Sequence, residues 1–141
     1  MALPNKPDEP VLGAQQQLRV GTPTVVETSS PDGRFGVVFE DDEQTGYFYA
    51  RDFTVDAADI SDALHIYSVE GVTDRHLSSE VHILWSRDSS KGCLIINQYP
   101  HAVFDFTAKR GYSRDVFPEP PADSVWTHHP WEDSLRGHFF S

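Results

Sequence analysis

His101 and Asp105 are the residues of this sequence whose types and spacing come closest to an acid–base pair. They are four residues apart in a segment that alternates like a β-strand, so their side chains should lie on one face. A histidine beside a carboxylate can move a proton at a bound ligand, but no nucleophile accompanies this pair. We therefore predict no catalytic residue. As an alternative function we keep a small-molecule binding or sensor pocket, lined by Tyr67, Asn97, Tyr99, His101 and Arg114.

The adjacent histidines His128 and His129 form the cluster most suited to holding a metal ion. Zinc needs three or four ligands that converge on one point. Neighbouring residues of a strand point to opposite sides, and the sequence contains no His-x-x-x-His or Cys-x-x-Cys spacing. We therefore expect no metal and no cofactor. A hydrolase or metalloenzyme that uses His101, Asp105, His128 or His129 remains a third alternative.

Acidic residues are densest at positions 40–43, a run that should connect the two strands of a hairpin. The run lacks the ligand spacing of a calcium-binding loop. Nucleic acid is disfavoured as a partner because phosphate contacts require clustered lysine and arginine. A negative surface instead speeds encounter with a basic protein. We predict a partner-binding surface formed by Glu40, Asp41, Asp42, Glu43, Tyr47, Tyr49, Asp56 and Asp59.

These candidate residues must be positioned by β-strands, and the sequence pattern indicates strands most clearly between residues 81 and 112. Val81, Ile83 and Trp85 recur at every second position, as in a strand with one buried face. Residues 93–96 are wholly apolar, which is typical of a strand covered on both faces. The core predicted from this unit consists of Trp85, Leu94, Ile96, Phe104 and Phe106.

The pattern of this unit recurs in part 56 residues earlier in the chain. Two interpretations are open, a duplication or two hairpins that share one turn chemistry. A strand-Ser-x-Asp-x-x-x-Gly-strand pattern also resembles a propeller blade, but a closed propeller needs about four blades of roughly 40 residues. The matching positions are Val25, Ser30, Asp32, Gly36 and Phe48 with Val81, Ser86, Asp88, Gly92 and Phe104.

The rest of the chain divides simply. We expect a flexible tail over residues 1–18, a single domain over 19–141, and one short helix or helical turn within 55–63, followed by a strand from 64 to 69. Residues 113–141 are rich in proline and aromatic residues, so they should wrap over the sheet rather than extend it. The anchors of that wrap should be Trp126, Trp131, Phe139 and Phe140.

Composition is consistent with one globular domain that carries a net charge of −11 over 141 residues. A single cysteine, Cys93, allows no internal disulfide, which fits a reducing compartment. No apolar run approaches the roughly 20 residues that span a bilayer. The first ten residues contain three prolines and no apolar segment of the kind that signal peptides have. We expect a cytoplasmic protein that does not bind a membrane.

This sequence contains five strings of note, which are Asp62-Ala63-Leu64-His65-Ile66-Tyr67, Trp85-Ser86-x-Asp88, Ile96-Asn97, Tyr99-Pro100-His101-Ala102-Val103-Phe104-Asp105-Phe106 and Gly111-Tyr112-x-Arg114-x-x-Phe117-Pro118. Together they resemble a family of small bacterial proteins classified as a domain of unknown function. The resemblance covers roughly residues 30–131 and implies a bacterial, cytosolic, single-domain protein. It brings no established catalytic residues. Small acidic bacterial proteins of this kind are often immunity proteins that neutralise a toxin. Among these strings, the one at residues 99–106 is quite specific.

Together these features predict a mainly β fold, with an antiparallel sheet that forms an open barrel or sandwich from two similar hairpin units. At most one or two short helices should accompany it. The function we predict is non-enzymatic binding of a protein, with a basic toxin domain as the expected partner of an immunity protein. The sequence does not indicate an oligomeric state.

Overall fold

The fold is an all-β arrangement of two sheets, seen in a computed structural model that describes residues 10–55 and 60–132. Only one short 3-10 turn, Val69–Gly71, interrupts the strands of that part of the chain. The predicted mainly β class is therefore confirmed. The strands are β1 (Val11–Leu18), β2 (Thr24–Ser29), β3 (Phe35–Asp41), β4 (Thr45–Asp52), β5 (Ile60–Ser68), β6 (Ser79–Trp85), β7 (Lys91–Ile96), β8 (Tyr99–Asp105), β9 (Arg110–Ser113) and β10 (Thr127–Pro130).

Strand order follows chain order almost throughout. A four-stranded sheet has the order β2-β3-β4-β5, and a six-stranded sheet has the order β1-β6-β7-β8-β9-β10. All pairs are antiparallel except β9 and β10, which run parallel. Each sheet thus contains a meander of four consecutive strands, and the six-stranded sheet gains one further strand at each edge. Within the described residues, no helix is long or apolar enough to cross a membrane.

The two sheets enclose one hydrophobic core. Strand β4 shows the simplest pattern, in which every second residue is buried. Apolar side chains of the two inner faces meet, including Phe39 and Phe48 from the four-stranded sheet and Ile83 from the six-stranded sheet. The five core residues predicted from sequence all belong to this cluster. The predicted anchors Trp126 and Trp131 are also buried, whereas Phe139 and Phe140 lie outside the described residues.

The outer faces of the two sheets differ. On the six-stranded sheet, Trp131 packs with Cys93 and Val103 on the face that points away from the main core. Strand β7 is therefore buried on both faces, as its apolar run predicts. Cys93 is buried there as a thiol, because the sequence contains no second cysteine with which it could form an internal disulfide. On the four-stranded sheet, the outward residues of β3 and β4 remain partly exposed, so this is the face where a surface site can form.

The sequence pattern that recurs at an offset of 56 residues corresponds to two hairpins of matching geometry. Ser29 pairs with Gly36 between β2 and β3, and Trp85 pairs with Gly92 between β6 and β7, which is the same register at the same spacing. The Ser30 hydroxyl donates to Asp32, and its oxygen accepts the Phe35 amide 3.1 Å away. The corresponding contacts recur in the second hairpin, with Ser86, Asp88 and Lys91 in the same roles.

The two matching turns also bind one another. The Asp32 amide donates to the Ser89 hydroxyl at 3.1 Å, and the Arg34 guanidinium donates to the Asp88 carbonyl at 3.2 Å. Hydrogen bonds from Ser90 and Ser86 lower the pKa of Asp88 to about 2. The turns therefore join the two sheets at one end of the sandwich.

The prediction of a flexible tail over residues 1–18 is wrong for residues 11–18. Residues 11–18 form β1, which pairs with β6 and ends at the buried Leu18. Residues 1–9 lie outside the described residues. An edge strand is held mainly by backbone hydrogen bonds, so the side chains of Gln15, Gln16 and Gln17 stay exposed and no apolar alternation marks the strand.

Two smaller predictions also need correction. Residues 60–63, expected within a short helix, begin strand β5, whereas residues 56–59 lie outside the described residues. The C-terminal wrap contributes a strand after all, because residues 127–130 pair with β9. Pro130 ends that strand, and the next amide, of Trp131, still donates to the Ser113 carbonyl at 2.8 Å, so proline stands where its nitrogen faces away from β9.

Candidate functional site

The acidic hairpin connection is shorter than predicted. It comprises residues 42–44, because Glu40 and Asp41 are the last residues of β3. The Asp42 carboxylate accepts the amides of Thr45 (2.8 Å) and Gln44 (2.9 Å), which lower the pKa of Asp42 below its usual value. Asp42 and Glu43 are exposed and Glu40 is partly exposed, so these three can meet a partner.

Asp41 contradicts the prediction of an exposed contact, because it is only 1% exposed. Strand alternation turns its side chain away from those of Glu40 and Asp42. There it accepts the Tyr67 hydroxyl at 2.6 Å and the amides of Gly21 and Glu43, each at 2.8 Å. Burial and this carboxylate together raise the pKa of Tyr67. Asp41 is therefore a structural residue that fastens the hairpin.

An aromatic row crosses the outer face of the four-stranded sheet and consists of Tyr49, Tyr47, His65 and Phe117. The rings of Tyr47 and Tyr49 are stacked with centroids 5.8 Å apart. His65 stands edge-on to Tyr47 at 5.4 Å and to Phe117 at 5.9 Å. Glu40 is paired directly opposite Tyr47. Burial and the nearby charges of Glu40 and Asp42 raise the pKa of Tyr49.

His65 is held in this row from several sides. Its Nδ1 lies 2.6 Å from Asp115 Oδ2, and its Nε2 lies 3.2 Å from Ser68 Oγ. Its backbone amide donates to the Phe117 carbonyl at 2.7 Å, so the segment around Phe117 covers the edge of β5. A bulge at Ile66 turns Ser68 to the same face as His65, although residues three apart in a regular strand face opposite sides.

His65 contacts Ser68 through one ring nitrogen and Asp115 through the other, as the histidine base of a serine hydrolase contacts its serine nucleophile and its orienting carboxylate. Such a set also needs donors for the oxyanion, often including the amide of the residue after the serine. That amide, on Val69, already donates to the Gln44 carbonyl at 2.8 Å. Two contacts of His65, with the Asp115 carboxylate and with the Phe117 carbonyl, fasten the Phe117 segment to the sheet and keep the aromatic row in place.

A cleft of about 510 Å³ opens beside the end of the aromatic row. We name it the proline–aromatic cleft. Its apolar walls come from Val116, Phe117, Pro120, Pro121 and Trp126, and it also borders Thr127 and His128. Asp115 and Glu119 supply carboxylates to the lining, and among the residues that the structure describes no lysine or arginine lines this cleft.

Behind the cleft lies a buried ion pair between Asp62 and His128, whose side chains are 4% and 3% exposed. His128 donates from Nε2 to Asp62 Oδ2 at 2.8 Å and from Nδ1 to the Val116 carbonyl at 3.1 Å. Burial opposes a charged ring, but the hydrogen bond and charge of Asp62 raise the pKa of His128 above its ordinary value. The pair links β10 to β5 of the other sheet.

The predicted small-molecule pocket does not form from its five residues. Tyr67 lies on the other sheet with Asp41, and the Asn97 side chain accepts the Glu80 amide at 2.9 Å in the turn after β7. Tyr99, His101 and Arg114 do come together. The guanidinium lies 4.3 Å from the centre of the Tyr99 ring, and that ring lies 5.9 Å from His101. Burial and the Arg114 charge lower the pKa of His101 to about 4.

The remaining candidates are separate from one another. Asp105 accepts the amides of Thr107 and Ala108, which makes it a turn residue. His129 contacts the Thr127 hydroxyl at 2.8 Å and does not share the Asp62 partner of His128. The described residues contain no group of three or more side chains suited to a metal ion. Asp56 and Asp59 fall outside the described residues.

Sequence reasoning missed four residues of this region, namely His65, Ser68, Asp62 and Asp115. The contacts Asp62–His128 and His65–Asp115 join residues 66 and 50 positions apart, so no spacing along the chain could reveal them. The available signals were the family-like string at residues 62–67, which contains Asp62 and His65, and Phe117-Pro118, which ends another such string.

The fold and this region define a class, a two-sheet β-meander protein with an acidic and aromatic outer face. The chain belongs to a bacterial family described as an uncharacterized protein conserved in bacteria (DUF2251), whose model matches residues 18–140. It is 42% identical over 117 residues to an uncharacterized protein of Haemophilus influenzae, covering 82% of this chain and 73% of that relative. No solved structure matches the chain.

Proposed function

We propose that this protein is a non-enzymatic binding protein whose partner is another protein. The contact surface is the acidic–aromatic face, formed by Glu40, Asp42, Glu43, Tyr47 and Tyr49. The observation that carries the proposal is the stacked tyrosine pair, which lies beside carboxylates on the outer face of the four-stranded sheet. Asp41 is excluded from the predicted contact surface because its side chain is buried.

The chemistry of this face favours a protein partner. Tyrosine side chains offer a large contact area at a small entropic cost, which is why they are frequent at the centres of interfaces. The surrounding carboxylates complement a basic surface and speed its approach. With a net charge of −11, the whole molecule attracts such a partner at long range.

Immunity against a toxin is the particular role we propose for this binding. An immunity protein must bind its toxin tightly, and a basic toxin domain fits both the carboxylates and the tyrosines of the face. The support is the class of small acidic bacterial proteins to which the chain belongs and the chemistry of the face. Co-purification from the source bacterium, followed by identification of the retained protein, tests the role directly.

Truncating the tyrosine pair should weaken partner binding. We expect Tyr49→Ala to lower affinity for the co-purified partner by roughly 30-fold or more, because central aromatic contacts often contribute about 2 kcal/mol or more. Isothermal titration calorimetry measures the change. Tyr112→Ala, at a tyrosine on the other sheet, is the matched control and should retain affinity. Equal affinities for wild type and Tyr49→Ala would contradict the assignment of this face.

Neutralising the acidic residues should slow association. The triple variant Glu40→Gln, Asp42→Asn, Glu43→Gln should associate several-fold more slowly, and the difference should shrink with salt because exposed charges are screened beyond about 8 Å at physiological ionic strength. The control carries the same charge change at Asp74, Glu80 and Glu132, whose side chains are at least partly exposed outside this face. Stopped-flow mixing at low and high salt gives the rates. Identical rates in both variants at all salt concentrations would exclude steering by this face.

A hydrolase is the second candidate, and the arrangement of Ser68, His65 and Asp115 favours it. A fluorophosphonate probe forms a covalent bond to an activated serine. Labelling of the wild type that is lost in Ser68→Ala would replace the binding proposal with this one. We expect no labelling, because the Val69 amide is already donated to Gln44.

A further inference from the structure

The proline–aromatic cleft lies beside the acidic–aromatic face. Phe117 belongs to both, since it ends the aromatic row and forms a wall of the cleft. Its side chain is 54% exposed. A protein segment lying along Tyr47 and His65 would therefore reach the cleft without crossing another element of the described chain.

The lining of the cleft combines apolar walls with negative charge. Phe117, Pro120 and Pro121 offer surface to an alkyl chain, and Trp126 closes the inner end against the core. Asp115 and Glu119 are both exposed carboxylates, and Asp115 also contacts His65 Nδ1 at 2.6 Å and accepts the Phe117 amide at 3.1 Å. Within the described part of the chain, the lining contains one further titratable group, His128, whose charge is matched by Asp62.

We propose that this cleft receives an arginine or lysine side chain from the bound protein partner. The alkyl stem would lie on the prolines and Phe117, and the cationic group would reach Asp115 and Glu119. An exposed aromatic face adds attraction for a cation. This inference rests on the proposed function, because it names the residue type through which the partner is anchored.

The shape of the cleft favours a protein segment over a small free amine. Sites for small molecules usually enclose about 70–90% of their ligand. This cleft is open to solvent and continues into the aromatic row, so a longer chain gains contacts that a free amine cannot make.

Peptide titration followed by nuclear magnetic resonance tests the inference. The probes are acetyl-Leu-Arg-Leu-amide, the same peptide with citrulline in place of arginine, and free agmatine. We expect the arginine peptide to shift the amide signals of residues 115–117, 119 and 126–128 and the Trp126 indole signal. The citrulline peptide should bind at least about threefold more weakly, because it keeps the shape but lacks the charge.

Glu119→Gln separates the charge from the shape of the cleft. This variant should weaken the arginine peptide by about three- to fivefold, leave the citrulline peptide unchanged and keep the fold. Glu27→Gln, at an exposed position on β2 at the opposite edge of the four-stranded sheet, is the matched control and should change neither. Equal binding of the arginine and citrulline peptides, signal shifts outside the cleft, or agmatine binding as tightly as the arginine peptide would each overturn the inference.

Partner-binding measurements distinguish failure of the cleft inference from failure of the proposed function. A partner whose binding is lost in Tyr49→Ala but unaffected in Glu119→Gln and Phe117→Ala would overturn the cleft inference and leave the binding function in place. A cleft that selects the arginine peptide in a protein that retains no partner would support the cleft and reject the proposed function.

Discussion

Phe104→Ala is expected to lower the free energy of unfolding by about 3–5 kcal/mol. Phe104 is fully buried, and its ring packs against Phe48 at 5.1 Å, Trp126 at 5.7 Å and Phe106 at 6.2 Å. Removing the ring leaves a cavity between the two sheets that these rigid neighbours cannot fill. Urea denaturation followed by tryptophan fluorescence measures the loss.

A matched substitution distinguishes this loss from a general effect of removing phenylalanine. Phe53 is 41% exposed, so Phe53→Ala should cost less than about 1 kcal/mol. If Phe104→Ala does not fold, Phe104→Leu should still fold with a loss of about 1 kcal/mol. Unchanged stability in Phe104→Ala would mean that the family-like string faces solvent and serves recognition.

Asp62→Asn is expected to cost about 3–5 kcal/mol, because removal of one partner leaves the other charge buried and uncompensated. The two side chains are nearly inaccessible, and the pair joins strands 66 positions apart. The double variant with His128→Gln should lose less than the sum of the two single variants, as expected for directly coupled groups. Additive losses would contradict this coupling.

The same pair makes stability depend on pH in a defined direction. Because the pKa of His128 is raised in the folded protein, its contribution is complete below the unfolded value of about 6.5. It is lost as pH rises through the folded pKa. Denaturation at a series of pH values above 6 should therefore show declining stability in the wild type, with this component absent from Asp62→Asn. As a control, replacement of the exposed His76 by Gln should leave this pH-dependent component of stability unchanged. Parallel profiles of stability against pH for wild type and Asp62→Asn would refute the assignment of that component to the Asp62–His128 pair.

The strand at residues 79–85 was predictable from sequence because one of its faces is buried. Val81, Ile83 and Trp85 alternate because their neighbours point away from the core, and each of the three is completely buried. The shared turn chemistry at Ser30 and Ser86 was equally readable, since short-range hydrogen bonds determine it. Both signals arise within a few residues of one another.

The candidate site was predicted only in part, because it depends on contacts between distant segments. Tyr47 and Tyr49 could be selected as outward residues of one strand. His65 acquires its role through Asp115 on a later segment, and the bulge at Ile66 reverses the alternation that would place Ser68. Asp41 shows the opposite error, because four consecutive acidic residues suggested a solvated turn where a strand continues.

The pairing of β1 with β6 has a consequence for the order in which the protein can assemble during synthesis. Residues 11–18 leave the ribosome long before residues 79–85, so the first strand has no partner while the four-stranded meander is being made. Closing so long a loop costs entropy before any contact compensates for it, and long-range pairing of this kind slows folding. The meander of β2–β5 can form its ladders early, but its inner face stays uncovered until the second meander arrives. A nascent chain that ends near residue 78 therefore presents Phe39 and Phe48 to solvent, which makes it a substrate for chaperones that bind exposed apolar surface.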